Sequence, residues 1–200
     1  GSSATNKVIS ADAITVKATD NSSIRAVGGA AAVAAGFGMT GVAISVGVSL
    51  AENTIETAVN AEILNMKGAD SRVTATQDIN VLAHNQAVIN ATSAAAALAI
   101  SAGVFALSLS GAGAFAENII SSSATARVVD SRISSSVTGT TGSGNGAANL
   151  KVESTSSAEI RALIVSAAAA ISVGKVGIAV GVGLSDAKNT IGSSGLGGVF

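Results

Sequence analysis

The chain has no cysteine, no proline, no tryptophan and no tyrosine, and only four phenylalanines in 200 residues. Without cysteine there is neither a disulfide framework nor a thiolate metal site, so the redox compartment cannot be read. Without Trp and Tyr the usual stacking platforms for sugars are missing. Charge is sparse and balanced, eleven basic against twelve acidic residues for a net charge of −1. No basic stripe is available for phosphates, and nucleic acid is not an expected partner. What fills the chain instead is Ala, Val, Ile and 23 glycines, with 48% of residues hydrophobic. Small side chains let backbones approach closely, so the core is expected to be built of thin layers. The length suffices to bury a core. No basic segment followed by an apolar stretch and a cleavage site opens the chain. Gly1 and Ser2 read as a cloning remnant, and a piece of a longer protein is expected.

Internal repetition organises the rest. Aligned on an asparagine, residues 14–53, 79–118 and 150–189 superpose over 40 positions without a gap. Nine columns are identical, among them Val16/Val81/Val152, Ile24/Ile89/Ile160, Gly38/Gly103/Gly174, Ala51/Ala116/Ala187 and Asn53/Asn118/Asn189. Alanine richness alone does not produce the Val, Ile, Gly and Asn columns. The spacing between asparagines is 65 and then 71 residues. The difference falls mainly in the Gly/Ser/Thr-rich stretch 136–149, which reads as a loop insertion. One repetitive domain over 1–200 is expected.

The alternation predicts strands. Val42, Ile44, Val46, Val48 and Leu50 alternate with Ala43, Ser45, Gly47, Ser49 and Ala51, and the third copy repeats this with Ile178, Val180, Val182 and Leu184. Period two over nine or ten residues is a strand signal. The small-residue face can lie very close to another layer, and the strand is expected to be buried. Upstream, the residues from Gly36 to Gly41 read as a turn. In the connecting segments Ile55, Val59, Ala61 and Ile63 are expected inside, with Glu56, Asn60 and Glu62 outside. Ile120, Ala124, Ala126 and Val128 are expected inside against Ser121, Thr125 and Arg127 outside. The alanine tracts 94–97 and 167–170 have intrinsic helix preference but no caps, and strand is the favoured reading. Repeated strands at long period, each burying its neighbour's face, suggest a solenoid or stacked β-structure.

Residues with chemistry are few. The single histidine, His84, lies in a polar context with no second His or Cys to share a metal, and reads as a surface residue. No G-x-S-x-G or triad pattern is present. Asp20-Asn21-Ser22 and Asp70-Ser71 read as turn residues before calcium ligands. The glycines at 36, 38 and 41 do not open a capped helix, so no phosphate cradle is expected. No catalytic, cofactor-binding or metal-binding residue is assigned, and no enzyme activity is expected.

Six positions stand out by recurrence: Asn53, Asn118 and Asn189, and Gly38, Gly103 and Gly174. The asparagines read either as a ligand-binding row or as a structural device, bending the chain between strands and stacking as a ladder. The structural role is favoured, because Asn often bonds nearby backbone groups. The neighbouring Glu52, Glu117 and Lys188 change sign between copies, which argues against a shared ionic function.

A Gly/Ala/Val/Ser tract ending near Ala-x-Asn, followed by Ile-x(3)-Val-x-Ala-x-Ile and a short Val-x-Val pair, resembles the long β-strand repeats of very large bacterial secreted or surface proteins. These are the filamentous-haemagglutinin-like adhesins and the leukotoxin-type exoproteins, and the matching stretches are Val42 to Ile63, Leu107 to Val128 and Ile178 to Ile191. The resemblance implies an all-β, elongated, right-handed parallel β-solenoid (β-helix). It further implies secretion or display on the bacterial cell surface, and a stalk or contact role in attachment. The partner would then be a host or neighbouring-cell surface, or other copies of the same protein. The uncharged tracts are broader than a simple three-sided coil needs, which leaves room for projecting hairpins or an extra sheet layer. Residues 26–51 and 85–116 carry no Asp, Glu, Lys or Arg, and each is long enough to cross a bilayer. A membrane-inserting or pore-forming segment of a secreted toxin is therefore the alternative. Lys175 and the two-residue period weigh against it.

Overall fold

The computed structural model describes residues 8–67, 71–135 and 149–192. Of the expected loop insertion at 136–149 only Asn149 falls among them, and Gly1, Ser2 and Asp70 also lie outside. Among the described residues nine strands follow one another: β1 (Val8–Ala11), β2 (Ile14–Phe37), β3 (Thr40–Leu64), β4 (Arg72–Ala75), β5 (Ile79–Ala102), β6 (Phe105–Val129), β7 (Ile133–Ser135), β8 (Leu150–Val173) and β9 (Val176–Ile191). No proline interrupts them, so every residue can donate to a ladder.

Strands adjacent in sequence never share a sheet. The three sheets are β1-β4-β7, β2-β5-β8 and β3-β6-β9, and they are parallel. Each coil of three strands therefore adds one strand to each sheet, which makes the fold a parallel β-solenoid of three coils. The pairing keeps the alignment read from sequence, with Leu107 opposite Ile178 and Asn118 opposite Asn189. Because β2 and β3 lie in different sheets, the connection at Gly38-Met39 is an arch between layers rather than the turn of a hairpin. Gly103-Val104 and Gly174-Lys175 form the equivalent arches. The alanine tracts are strand throughout, in β5 and β8.

The chain divides into two compact units. The first comprises Gly1–Ser22, Glu56–Ala87 and Ser122–Ala158. Its interior is conventional: Val59, Ala61, Ile63, Met66, Val73, Ala75, Ile79, Val81 and Ala83 form a buried cluster, with Ile14, Val16, Ala124, Ala126, Val128 and Ile133 packed against it. Fully burying a Val or Ile is worth roughly 1.5–3 kcal/mol, so Val73, Ile79 and Val81, each with no exposed surface, anchor this unit. Glu56 and Asn60 point outward as their alternation predicts. Arg127 reaches Glu62 at 2.6 Å across the coils.

The second unit comprises Ser23–Ile55, Val88–Ser121 and Glu159–Phe200, and here size is inverted. In β3 the inward residues are Ala43, Ser45, Gly47, Ser49 and Ala51, while Val42, Ile44, Val46, Val48 and Leu50 face out with half or more of their surface exposed. The small face lies against another layer, as the alternation allows, but the aliphatic face of this strand, expected to be buried, is exposed. The physical reason is the closeness of the layers: a Cβ on Gly47 would fall 2.7 Å from the Ala96 carbonyl oxygen, and one on Gly181 3.0 Å from that of Ala168. Opposed sheets usually stand about 10 Å apart with large side chains between them. Here Ala95, Ala97, Ala112 and Ala114 fill the gap.

Two turn assignments are corrected. Asp20, Asn21 and Ser22 sit inside β2, where the Ser22 hydroxyl donates to Asp20 Oδ2 at 2.7 Å. Asn53, Asn118 and Asn189 are likewise strand residues and not bends. The non-glycine residues with left-handed backbone among those described are Asn65 (φ 57°) and Asp130 (φ 48°), each at the corner that follows the longest strand of its coil.

Candidate functional site: ladders and an apolar surface

The repeated asparagines form a ladder within the second unit. Asn53 Nδ2 donates to Asn118 Oδ1 at 2.8 Å, and Asn118 Nδ2 donates to Asn189 Oδ1 at 2.8 Å. Their place in the alternation explains this: each faces inward at the same register position, so identical amides stack one coil apart. Asn118 is completely buried and Asn53 nearly so, while Asn189 on the third coil is exposed. An inward amide whose donor and acceptor go to its own copies holds strands in register and has little capacity left for a ligand. Chains of such bonds polarise one another and strengthen cooperatively.

Beside it on the outer surface, Glu52, Glu117 and Lys188 occupy the adjacent outward positions. Lys188 Nζ bonds Glu117 Oε1 at 2.8 Å. The hydrogen bond and charge of Glu117 raise the Lys188 pKa above its ordinary 10.5, slightly opposed by desolvation. The sign change between copies thus produces one exposed ion pair between the second and third coils.

Gly38, Gly103 and Gly174 lie at the arches, where the backbone of one coil rests on that of the next. A Cβ on Gly103 would fall 2.1 Å from the Gly38 carbonyl oxygen, and one on Gly174 2.1 Å from that of Gly103. Gly38 also has φ 141°, a conformation that L side chains rarely adopt. The arches are bonded coil to coil: Gly38 N donates to Ala102 O, Gly103 N to Val173 O, Phe105 N to Met39 O and Val176 N to Val104 O.

A serine network between the layers was not read from the sequence. Ser93 donates to Ser49 Oγ at 2.9 Å, Ser108 to Ser101 Oγ at 2.7 Å, and Ser101 and Ser172 share a bond at 3.2 Å. Ser49 and Ser108 belong to the small face of the alternation, whereas Ser45 and Ser110 on the same face are buried without a hydrogen-bond partner. Asn85 is a second unread polar residue: buried in the first unit, its Nδ2 donates to Thr57 Oγ1 at 2.7 Å. His84, its neighbour in β5, points the other way and is half-buried on the outer side. Among the described residues, no three His, Cys, Asp or Glu side chains converge.

What remains is the outer surface of the second unit. The β3-β6-β9 sheet turns out Val42 to Leu50 from the first coil and Ile178, Val180, Val182 and Leu184 from the third. The β2-β5-β8 sheet turns out Val27, Val33, Leu163, Val165, Ile171 and Val173. At the arches Phe37 and Met39 are 74% and 83% exposed, and Phe105 is exposed as well. Soluble monomers rarely carry contiguous apolar patches beyond a few hundred Å². This surface extends over both faces and the arches of one unit. No helix among the described residues is long and apolar enough to cross a membrane.

No protein-family model, no curated protein and no solved structure matches this chain.

Proposed function

We propose that the chain is a noncatalytic structural repeat module of a bacterial exported adhesin, serving as a stalk or contact surface in attachment at the cell surface. The observation that carries this reading is the coil-to-coil stacking of identical groups: asparagine on asparagine and arch glycine on arch glycine, at offsets of 65 and 71 residues. In such a repeat each coil is the template for the next, and stability is a sum of nearest-neighbour terms. The inward asparagines serve this stacking. The resemblance to filamentous-haemagglutinin-like and leukotoxin-type repeats supports export and attachment. Partners on this reading are a host or neighbouring-cell surface, or other copies of the protein.

The test is adhesion. Beads coated with the chain should retain on cultured cells above beads coated with an unrelated β-protein, and deletion of residues 136–148 separates two roles. Loss of retention on deletion assigns binding to that segment; unchanged retention assigns it to the coils. Retention no better than the control protein would overturn the adhesive reading.

A further inference from the structure

We infer that the second unit inserts into the hydrocarbon layer of a lipid bilayer, arches first, leaving the Glu52, Glu117 and Lys188 row at the water boundary. The inference is independent of the adhesive role and rests on four observations.

Both outer sheet faces of this unit are apolar over the same stretch of chain, and so are the arches that join them. A protein docked on one face would leave the other in water. A surrounding apolar medium covers all of them at once.

The charges stand at the ends of that stretch. Between Arg25 and Glu52 there is no Asp, Glu, Lys or Arg, and in the second coil there is none from 85 to 116. In the third coil Lys175 alone lies between Arg161 and Asp186. Lys175 sits in the arch, where a long side chain can reach headgroups and water.

The dimensions fit. Val42 to Leu50 is nine residues, about 30 Å at the rise of a strand, and a spanning strand needs about 9–11 residues for a hydrocarbon core about 30 Å thick. The segment from Ala26 to Phe37, at about 40 Å by the same rise, carries the arches to the far headgroup layer.

The interior is packed as lipid-embedded segments are packed. Where lipid offers no hydrophobic drive, close approach of small residues holds segments together. Ala95, Ala97, Ala112 and Ala114 supply that here. Lipid also requires every backbone group to be bonded within protein. The β2-β5-β8 and β3-β6-β9 sheets meet this between coils, and at the arches the Gly38, Gly103, Phe105 and Val176 N–H groups are bonded to the neighbouring coil. The outermost edges of the first and third coils require pairing with another coil, so insertion occurs as a side-by-side array of copies.

The experiment uses the full chain with phosphatidylcholine vesicles. It should float with the vesicles on a density gradient and stay bound in about 1 M sodium chloride, where surface charge attraction is screened. A Met39→Trp reporter, in a chain without native Trp, should shift its emission to the blue and be quenched by brominated acyl chains. Val46→Arg and Val180→Arg lie on outward positions, so both should keep the β circular-dichroism spectrum while reducing flotation at least about tenfold. Wild-type protein left in the aqueous fractions, or flotation unchanged by either Arg variant, would overturn the inference. So would a soluble oligomer that Val46→Arg converts to monomer, since a second copy would then cover this face.

Discussion

Asn53 and Asn118, 65 residues apart, share a buried carboxamide hydrogen bond of 2.8 Å, and Asn118 passes the same bond on to Asn189. The middle amide is thus donor to one coil and acceptor from the other. Asn118→Ala removes two bonds and strands two amide groups, one of them buried. A destabilisation of about 2–4 kcal/mol is expected. Asn189→Ala removes one bond at an exposed position and should cost less than about 1 kcal/mol. Urea denaturation measures both, and equal effects would mean the ladder is not a stabilising element.

The arch glycines are expected to be intolerant of a single methyl group. Gly103→Ala places Cβ against the Gly38 carbonyl oxygen, and forcing the coils apart should cost about 1–3 kcal/mol. Gly111, whose Cβ would meet nothing within 4 Å, is the control. Its change to Ala should be neutral or stabilise by up to about 1 kcal/mol. The contrast in thermal midpoints decides whether the arch contact or glycine content in general matters.

The inverted second unit should respond to substitution in reverse of an ordinary sheet. Ala114→Leu, at a position with no exposed surface, overpacks two close layers and is expected to cost about 3 kcal/mol or more. Ile44→Thr on the exposed face should change stability in aqueous buffer by no more than about 0.5 kcal/mol. If Ile44→Thr is the more damaging of the two, the assignment of inner and outer faces is wrong.

Lys188 gives a pH signature of known sign. Its pKa is raised above 10.5 by Glu117. The contribution is therefore fully present below the unfolded pKa and lost as pH rises through the folded value. Wild type should be slightly more stable than Lys188→Gln at about pH 8, and the two should converge at higher pH, once Lys188 has lost its proton in the folded chain. Thermal midpoints of the pair measure this. A gap that persists at the higher pH would assign the effect to something other than charge.

Much of this was legible from period and alignment. Val42, Ile44 and Val46 announced a strand, and the gapless match of 14–53, 79–118 and 150–189 gave the register in which Asn118 meets Asn189. The first unit's interior could be read because Val59, Ala61 and Ile63 alternate with Asn60 and Glu62, so inside and outside were chemically marked. In the second unit both sets of positions are uncharged. Hydropathy alone points Val46 inward and Gly47 outward, whereas the distance between layers, set by atoms far away in sequence such as the Ala96 carbonyl, decides the reverse. Asn53 was misplaced at a bend for a related reason: the neighbouring Glu52 suggested that the chain had reached a corner. The strand continues eleven residues further to Leu64.

Every arch spans two residues: 38–39, 103–104 and 174–175. The corners elsewhere do not keep a common length, with three residues between β6 and β7 but seven between β3 and β4. Parity accounts for the difference. An extra residue at a corner is absorbed before a strand begins, but one added within an arch exchanges odd for even along the strand that follows, swinging Val42 to Leu50 into a space that admits only Ala, Ser and Gly. The solenoid can therefore vary in length from coil to coil at its corners, while its arches count residues in twos.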